Sequence, residues 1–182
     1  MTDFGIKTVG SGYPIKIPNR NTIGHDLGLV DLRISLDSIG LFDSWRPEHG
    51  LKANRPPQRL GEKEACPVSD ALITTTRSFD KDPNFRISTV AIELEPFQKE
   101  RGRYRKLFEY YRSLQNFFAV WYFVPTLSLG RSIEAVWDSM PKGFERVPYL
   151  FITPIKEALS DPRSMRTYSR GEVTQIKSIF DS

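Results

Sequence analysis

The chain has 182 residues, 39% of them hydrophobic and 26% charged, with a net charge of +4 and a pI of about 9.2. That length suits one domain with a core that needs no staple, and the single cysteine, Cys66, excludes an internal disulfide or a cysteine zinc cluster. No apolar stretch approaches the ~20 residues that cross a bilayer, and the N-terminus lacks the blocks of a signal peptide, so the expectation is a cytoplasmic protein with no membrane partner.

Residues 1–21, rich in Gly, Pro and Asn, read as an irregular arm or a short edge strand. From Asn21 or Thr22 as N-cap to Gly40 as stop, Ile23, Leu27, Val30, Ile34 and Leu36 recur at helical spacing and predict a helix with that stripe toward the core. "LFDSWRPE" predicts a strand, and residues 46–67, broken by four prolines, a long loop. "VSDALITTT" and "FRISTVAIELE" predict two strands joined through "SFDKDPN". Pro96 stands where a first-turn proline belongs, so a helix is expected over residues 97–116, with Phe97, Tyr104, Leu107, Phe108, Tyr111 and Leu114 inward. "FFAVWYFVP" predicts a strand covered on both faces. "GRSIEAVWDSM" predicts a helix burying Ile133, Val136, Trp137 and Met140, "VPYLFITP" a strand and "IKEAL" a short helix. Residues 161–182 form a polar tail with a helix expected near 171–180. Hairpin-rich first half and βαβ second half together imply an α/β fold, a mixed central sheet with helices on its faces over residues 22–160.

Alternation along a strand places Glu93 and Glu95 on one face, roughly 7 Å apart, with Val90, Ile92 and Leu94 on the other. Two ionised groups side by side in a partly buried sheet are unfavourable without a compensating cation. Asp70 opens the neighbouring strand, and Lys99 follows the glutamates closely enough to reach back over the same edge. One reading makes Asp70, Glu93 and Glu95 ligands of a divalent ion, which takes hard oxygen donors plus water and phosphate. Lys99 would then stabilise charge on phosphorus, and Glu95 or Lys99 would orient the attacking water. The other reading makes the glutamates a solvated strand face paired with arginines. Arg101, Arg103, Arg105, Lys106 and Arg112 against Glu100 and Glu109 form either a phosphate-contacting surface or an ordinary charged helix face. His25 and Asp26 on the first helix could face the site, with His25 as a proton carrier or phosphate contact, or they are a capping histidine and an aspartate favoured near a helix N-terminus.

"SD" (Ser69, Asp70) opening one strand and "ELE" (Glu93, Leu94, Glu95) closing the next resemble the PD-(D/E)xK nuclease superfamily, whose core runs αβββαβ. Ser69 stands where that family often has proline, and Glu95 where it usually has lysine. Some restriction endonucleases of the superfamily carry glutamate there, and in others the lysine sits in the following helix, a role that suits Lys99. A closer likeness joins "GHDLGLVDLRISL", "SDALI", "AIELEPFQKERGRYRKLFEYY" and "VWYFVPT" to the nuclease-like part of plasmid replication-relaxation and mobilisation accessory proteins. The winged-helix reader that often precedes this part in such proteins is expected to be missing, since only about 20 residues precede "HDL".

The resemblance implies a restriction-endonuclease-like fold and a Mg²⁺-dependent endonuclease (Mn²⁺ as substitute) acting on plasmid or other mobile DNA, with Asp70, Glu93, the Leu94 carbonyl and Glu95 around the ion. Lys99 and His25 would assist. A relaxase or replication protein and a homodimer are the partners it suggests besides DNA. Two other functions stay open on the sequence: a DNA-binding accessory protein with a degraded site, and a protein-interaction scaffold.

Overall fold

In the computed structural model, residues 20–53, 68–76, 88–113, 117–141 and 148–175 are described, with side chains from residue 23 onward. β4 (Ala119–Val124) is apolar and buried at every position, as a strand with helices on both faces must be. On one side of it lie β3 (Ser88–Leu94), β2 (Ala71–Thr75) and β1 (Ser44–Pro47), an antiparallel meander joined in parallel to β4. On the other side lie β5 (Tyr149–Pro154), parallel to β4, then β6 (Arg166–Ser169) and β7 (Glu172–Gln175), both antiparallel. The seven strands follow one another in chain order across a single, mostly antiparallel sheet.

Helices cover both faces. α1 (Arg20–Ser38) and α5 (Ile155–Ser160) pack with Ile73, Val90, Ile92, Trp121 and Phe123. α3 (Arg101–Ser113) and α4 (Leu127–Asp138) pack with Ala91, Val120, Tyr122, Val124 and Ile152. The mixed α/β sheet flanked by helices is therefore as expected. Glu93 alternates with Ile92 and Leu94, so its face is the one α3 covers.

α1 ends as its sequence asks. Gly40 takes φ +61°, its N–H bonds Asp37 O at 2.8 Å, and Leu41 N–H bonds Leu36 O at 3.2 Å. This is a Schellman closure, and Leu36 and Leu41 are both buried in the same core cluster. The buried face of α1, however, is Leu32 and Leu36 with Leu29 beside them. Ile23, Leu27, Val30 and Ile34 face outward, contrary to the expected stripe. Two apolar stripes share this helix, and periodicity alone does not say which one meets the sheet.

Other elements depart from expectation locally. The expected loop after Pro47 contains a short helix, α2 (Glu48–Ala53). α3 begins at Arg101, not at residue 97, because Glu95 N–H continues the sheet to Phe123 O at 2.9 Å and the first helical turn closes on Glu100 O. Phe97 consequently projects into solvent instead of joining the core. Where a helix was expected near 171–180, residues up to Gln175 belong instead to the β6–β7 hairpin, which turns through Arg170 and Gly171 at positive φ, and residues 176–180 lie outside the described residues. Cys66, the "SFDKDPN" connection, Leu114 and the N-cap side chains of Asn21 and Thr22 lie outside the described residues.

Candidate functional site

β2 and β3 run antiparallel, so the start of one lies beside the end of the other. One residue beyond the Ala71–Ile92 pair, Asp70 stands across from Glu93. Asp70 Oδ2 accepts the Leu94 N–H at 2.8 Å and lies 3.2 Å from His25 Nε2. That second contact crosses from the sheet edge to α1. The hydrogen bond to Asp70 raises His25 from 6.5 to about 9, against the opposing effect of burial, so the imidazole is cationic at neutral pH. Its Nδ1 lies 3.7 Å from Asp26 Oδ1.

Glu93 is buried beneath α3, where the Tyr111 hydroxyl donates to Oε1. Burial and then the Asp70 charge push its carboxyl well above the usual range, with the Tyr111 bond and Lys99 opposing. Beside Glu93 in the next strand is Tyr122, whose phenolic oxygen is buried with no hydrogen-bond partner among the described residues. Glu95 is buried as well and raised by desolvation, but its Oε2 is 2.7 Å from Lys99 Nζ, which pulls the other way. Lys99 belongs to the link before α3, not to a helical turn, and its backbone N–H donates to the Tyr104 hydroxyl at 3.1 Å.

Asp70, Glu93 and Lys99 line one open cleft of about 350 Å³, with Arg103 and Lys106 from α3 and Glu48 from α2 on its walls. Glu95 lines a second cavity of similar size, walled by His25, Leu94, Phe97 and Phe123. The expected trio is thus divided. Among the described residues no three of His, Cys, Asp and Glu are grouped to hold a metal ion. Asp70 and Glu93 do share a cleft, and Asp70 Oδ1 and Glu93 Oε2 accept no hydrogen bond among the described residues. Two hard carboxylate oxygens suit the one or two carboxylates that Mg²⁺ usually takes from protein. The donor set fits an ion as a pair and not as a triad, and Glu95 is held by Lys99.

The basic residues divide too. Arg103 and Lys106 face the cleft, while Arg101 and Arg105 are exposed without lining it. Arg112, expected at a phosphate surface, is buried instead. It donates to Trp137 O at 2.6 Å and Pro141 O at 3.1 Å and lies 4.5 Å from the centre of the Trp137 ring. Burial lowers its pKa. It is the clamp between α3 and the end of α4. Trp121 and Trp137 are core residues, Trp45 packs against the core, and His49 is exposed on α2.

Three participants escaped the sequence reading. Tyr111 was expected as core, Tyr104 as core or as a base-stacking ring, and Glu48 sat in a supposed loop. The available signal was a tyrosine-bearing helical stripe facing a glutamate-bearing strand face, where buried hydroxyls need carboxylate or backbone partners. No described helix is long and apolar enough to cross a membrane. Comparison of the chain with protein-family models, curated proteins and solved structures returned no match.

Proposed function

We propose that this chain is an endonuclease-like protein that binds DNA phosphates in the Asp70–Glu93 cleft and hydrolyses a phosphodiester bond there. One observation carries the reading: two facing carboxylates, Asp70 and Glu93, share a cleft with three cationic side chains, Lys99, Arg103 and Lys106. Acid oxygens suit a divalent ion or an activated water, and the cations suit the phosphate that both would act on. The element order α1, β1–β2–β3 meander, α3, parallel β4 supports a restriction-endonuclease-like arrangement, with α2 as an addition. Processing of plasmid or other mobile DNA is the setting proposed.

Asp70 and Glu93 would hold Mg²⁺ or Mn²⁺, which supplies charge neutralisation at the phosphate and acidifies a bound water. The chain's own residues do the rest. Lys99, anchored by Glu95, presents an ammonium at the cleft wall, where it can meet charge developing on a phosphoryl oxygen. His25 holds Asp70 through Oδ2, and Asp70 lines the cleft. Tyr111 fixes Glu93 through Oε1. Arg103 and Lys106 position the backbone without reading bases, so binding is directed by DNA structure and weakens with salt.

Calorimetric titration with Mg²⁺ or Mn²⁺, followed by a nicking assay on supercoiled plasmid, tests the reading. Metal binding and metal-dependent nicking, both lost in Asp70→Ala, are the expected results. A second reading is favoured by the capture of Glu95 by Lys99 and by the absence of a third grouped ligand among the described residues: a DNA-binding accessory protein whose site has lost catalysis. Salt-sensitive DNA binding with neither metal heat nor nicking selects it. No DNA binding at all removes both.

A further inference from the structure

α1 carries an apolar stripe that is exposed and that no other described element packs against. Ile23, Leu27, Val30 and Ile34 are 43%, 60%, 52% and 63% exposed, on the side opposite to Leu32 and Leu36. Their spacings are four, three and four residues. That pattern is the seam of a coiled coil, and it reads the same in both directions.

We propose that this face is a homodimer interface in which α1 packs antiparallel against α1 of a second copy about a two-fold axis. Reversal of one helix then brings Ile23 against Ile34 of the partner copy and Leu27 against Val30, in two symmetry-related sets. The charges obey the same rule. Asp26 and Arg33 flank the stripe on one side, both exposed. An antiparallel two-fold sets like flanks together, so each Asp26 meets the Arg33 of the other copy, twice over. A parallel pair would instead set unlike flanks together and bring each Asp26 against the Asp31 of the other copy, acid against acid. Asp31 lies on the other flank, where reversal opposes it to the Gly24 region of the second copy, which brings no charge. Self-complementarity in shape and in charge is what an isologous contact requires, and it identifies the occupant as another copy of this chain. His25 points from the opposite side of the same helix to Asp70, so the interface and the cleft share one element without sharing side chains. The proposal does not depend on the nuclease reading.

Sedimentation equilibrium of the full chain at micromolar concentrations tests it. The expected result is a reversible dimer whose dissociation constant rises at least tenfold in Leu27→Glu and in Val30→Glu. Both sites are more than half exposed, so circular dichroism should show the folded state retained. Asp26→Arg and Arg33→Asp should each weaken the dimer, and the double variant should recover it. Orientation is read by cross-linking in a Cys66→Ser background. Ile23→Cys mixed with Ile34→Cys should form a mixed disulfide, whereas Ile23→Cys alone should not, since antiparallel helices hold its two copies about 16 Å apart along the axis. A monomer at 100 µM overturns the proposal. So does a dimer indifferent to Leu27→Glu and Val30→Glu, failure of the double charge reversal to recover affinity, or self-cross-linking of Ile23→Cys.

Discussion

His25 Nε2 lies 3.2 Å from Asp70 Oδ2, and this contact joins the first helix to the carboxylate just ahead of β2. The folded state raises the His25 pKa from 6.5 to about 9, so it binds that proton more tightly than the unfolded chain does. The resulting stability is complete below pH 6.5 and disappears as pH rises through about 9. His25→Gln should therefore lose on the order of 1–3 kcal/mol at pH 6. In urea unfolding, the gap from the parent protein should close well above pH 9. A gap that stays constant with pH would contradict the ion-pair account.

Glu93 titrates in the same direction for a different reason. Burial raises its carboxyl, so ionisation at neutral pH costs folding energy that is absent below its ordinary pKa of 4.5. Glu93→Gln removes the charge and keeps an acceptor for Tyr111. Its Tm at pH 7 should rise, by about 2–4 °C for each kcal/mol relieved. Plasmid nicking and metal heat should vanish in the same variant. A lowered Tm would mean that Glu93 is compensated by something other than Tyr111 and Lys99.

Arg103 and Arg112 share a helix but belong to different machinery. Arg103→Ala and Lys106→Ala should each weaken DNA binding and reduce the slope of log affinity against log salt by about 1. Arg112→Ala should instead cost on the order of 2 kcal/mol of stability, the worth of a buried charged donor on two carbonyls. Its salt slope should match that of the parent protein. Unfolding curves and binding at two salt concentrations check both halves.

Two glycines give a purely packing test. A Cβ at Gly130 would sit 2.5 Å from Ile152 Cγ2, so α4 reaches β5 only because that position is bare. Gly130→Ala should destabilise by about 1–3 kcal/mol through overpacking. At Gly24 a Cβ meets nothing within 4 Å. Gly24→Ala should stabilise by up to about 1 kcal/mol from helix propensity alone. Denaturant midpoints measured side by side decide both.

Much of this architecture is legible one residue at a time. Uniform apolarity in Ala119–Val124 means a strand with both faces covered, and the order of elements then follows from short connections. Gly40 marks the end of α1 because the closing turn needs positive φ. Alternation alone places Glu93 opposite to Ile92 and Leu94. These features depend only on neighbours along the chain.

What the sequence by itself determined is β1 to β5 with α1, α3, α4 and α5, and which side chains share a face within each, whereas α2 and the β6–β7 hairpin were not legible in it. Only the tertiary structure decided which α1 stripe meets the sheet, that Arg112 turns inward onto Trp137, and that Asp70 and Glu93 share a cleft while Glu95 goes to Lys99. The physical reason is range. Periodicity is set by backbone geometry over a few residues, whereas convergence depends on strand register, on the path of a link such as Pro96–Glu100, and on which partner satisfies each buried charge first.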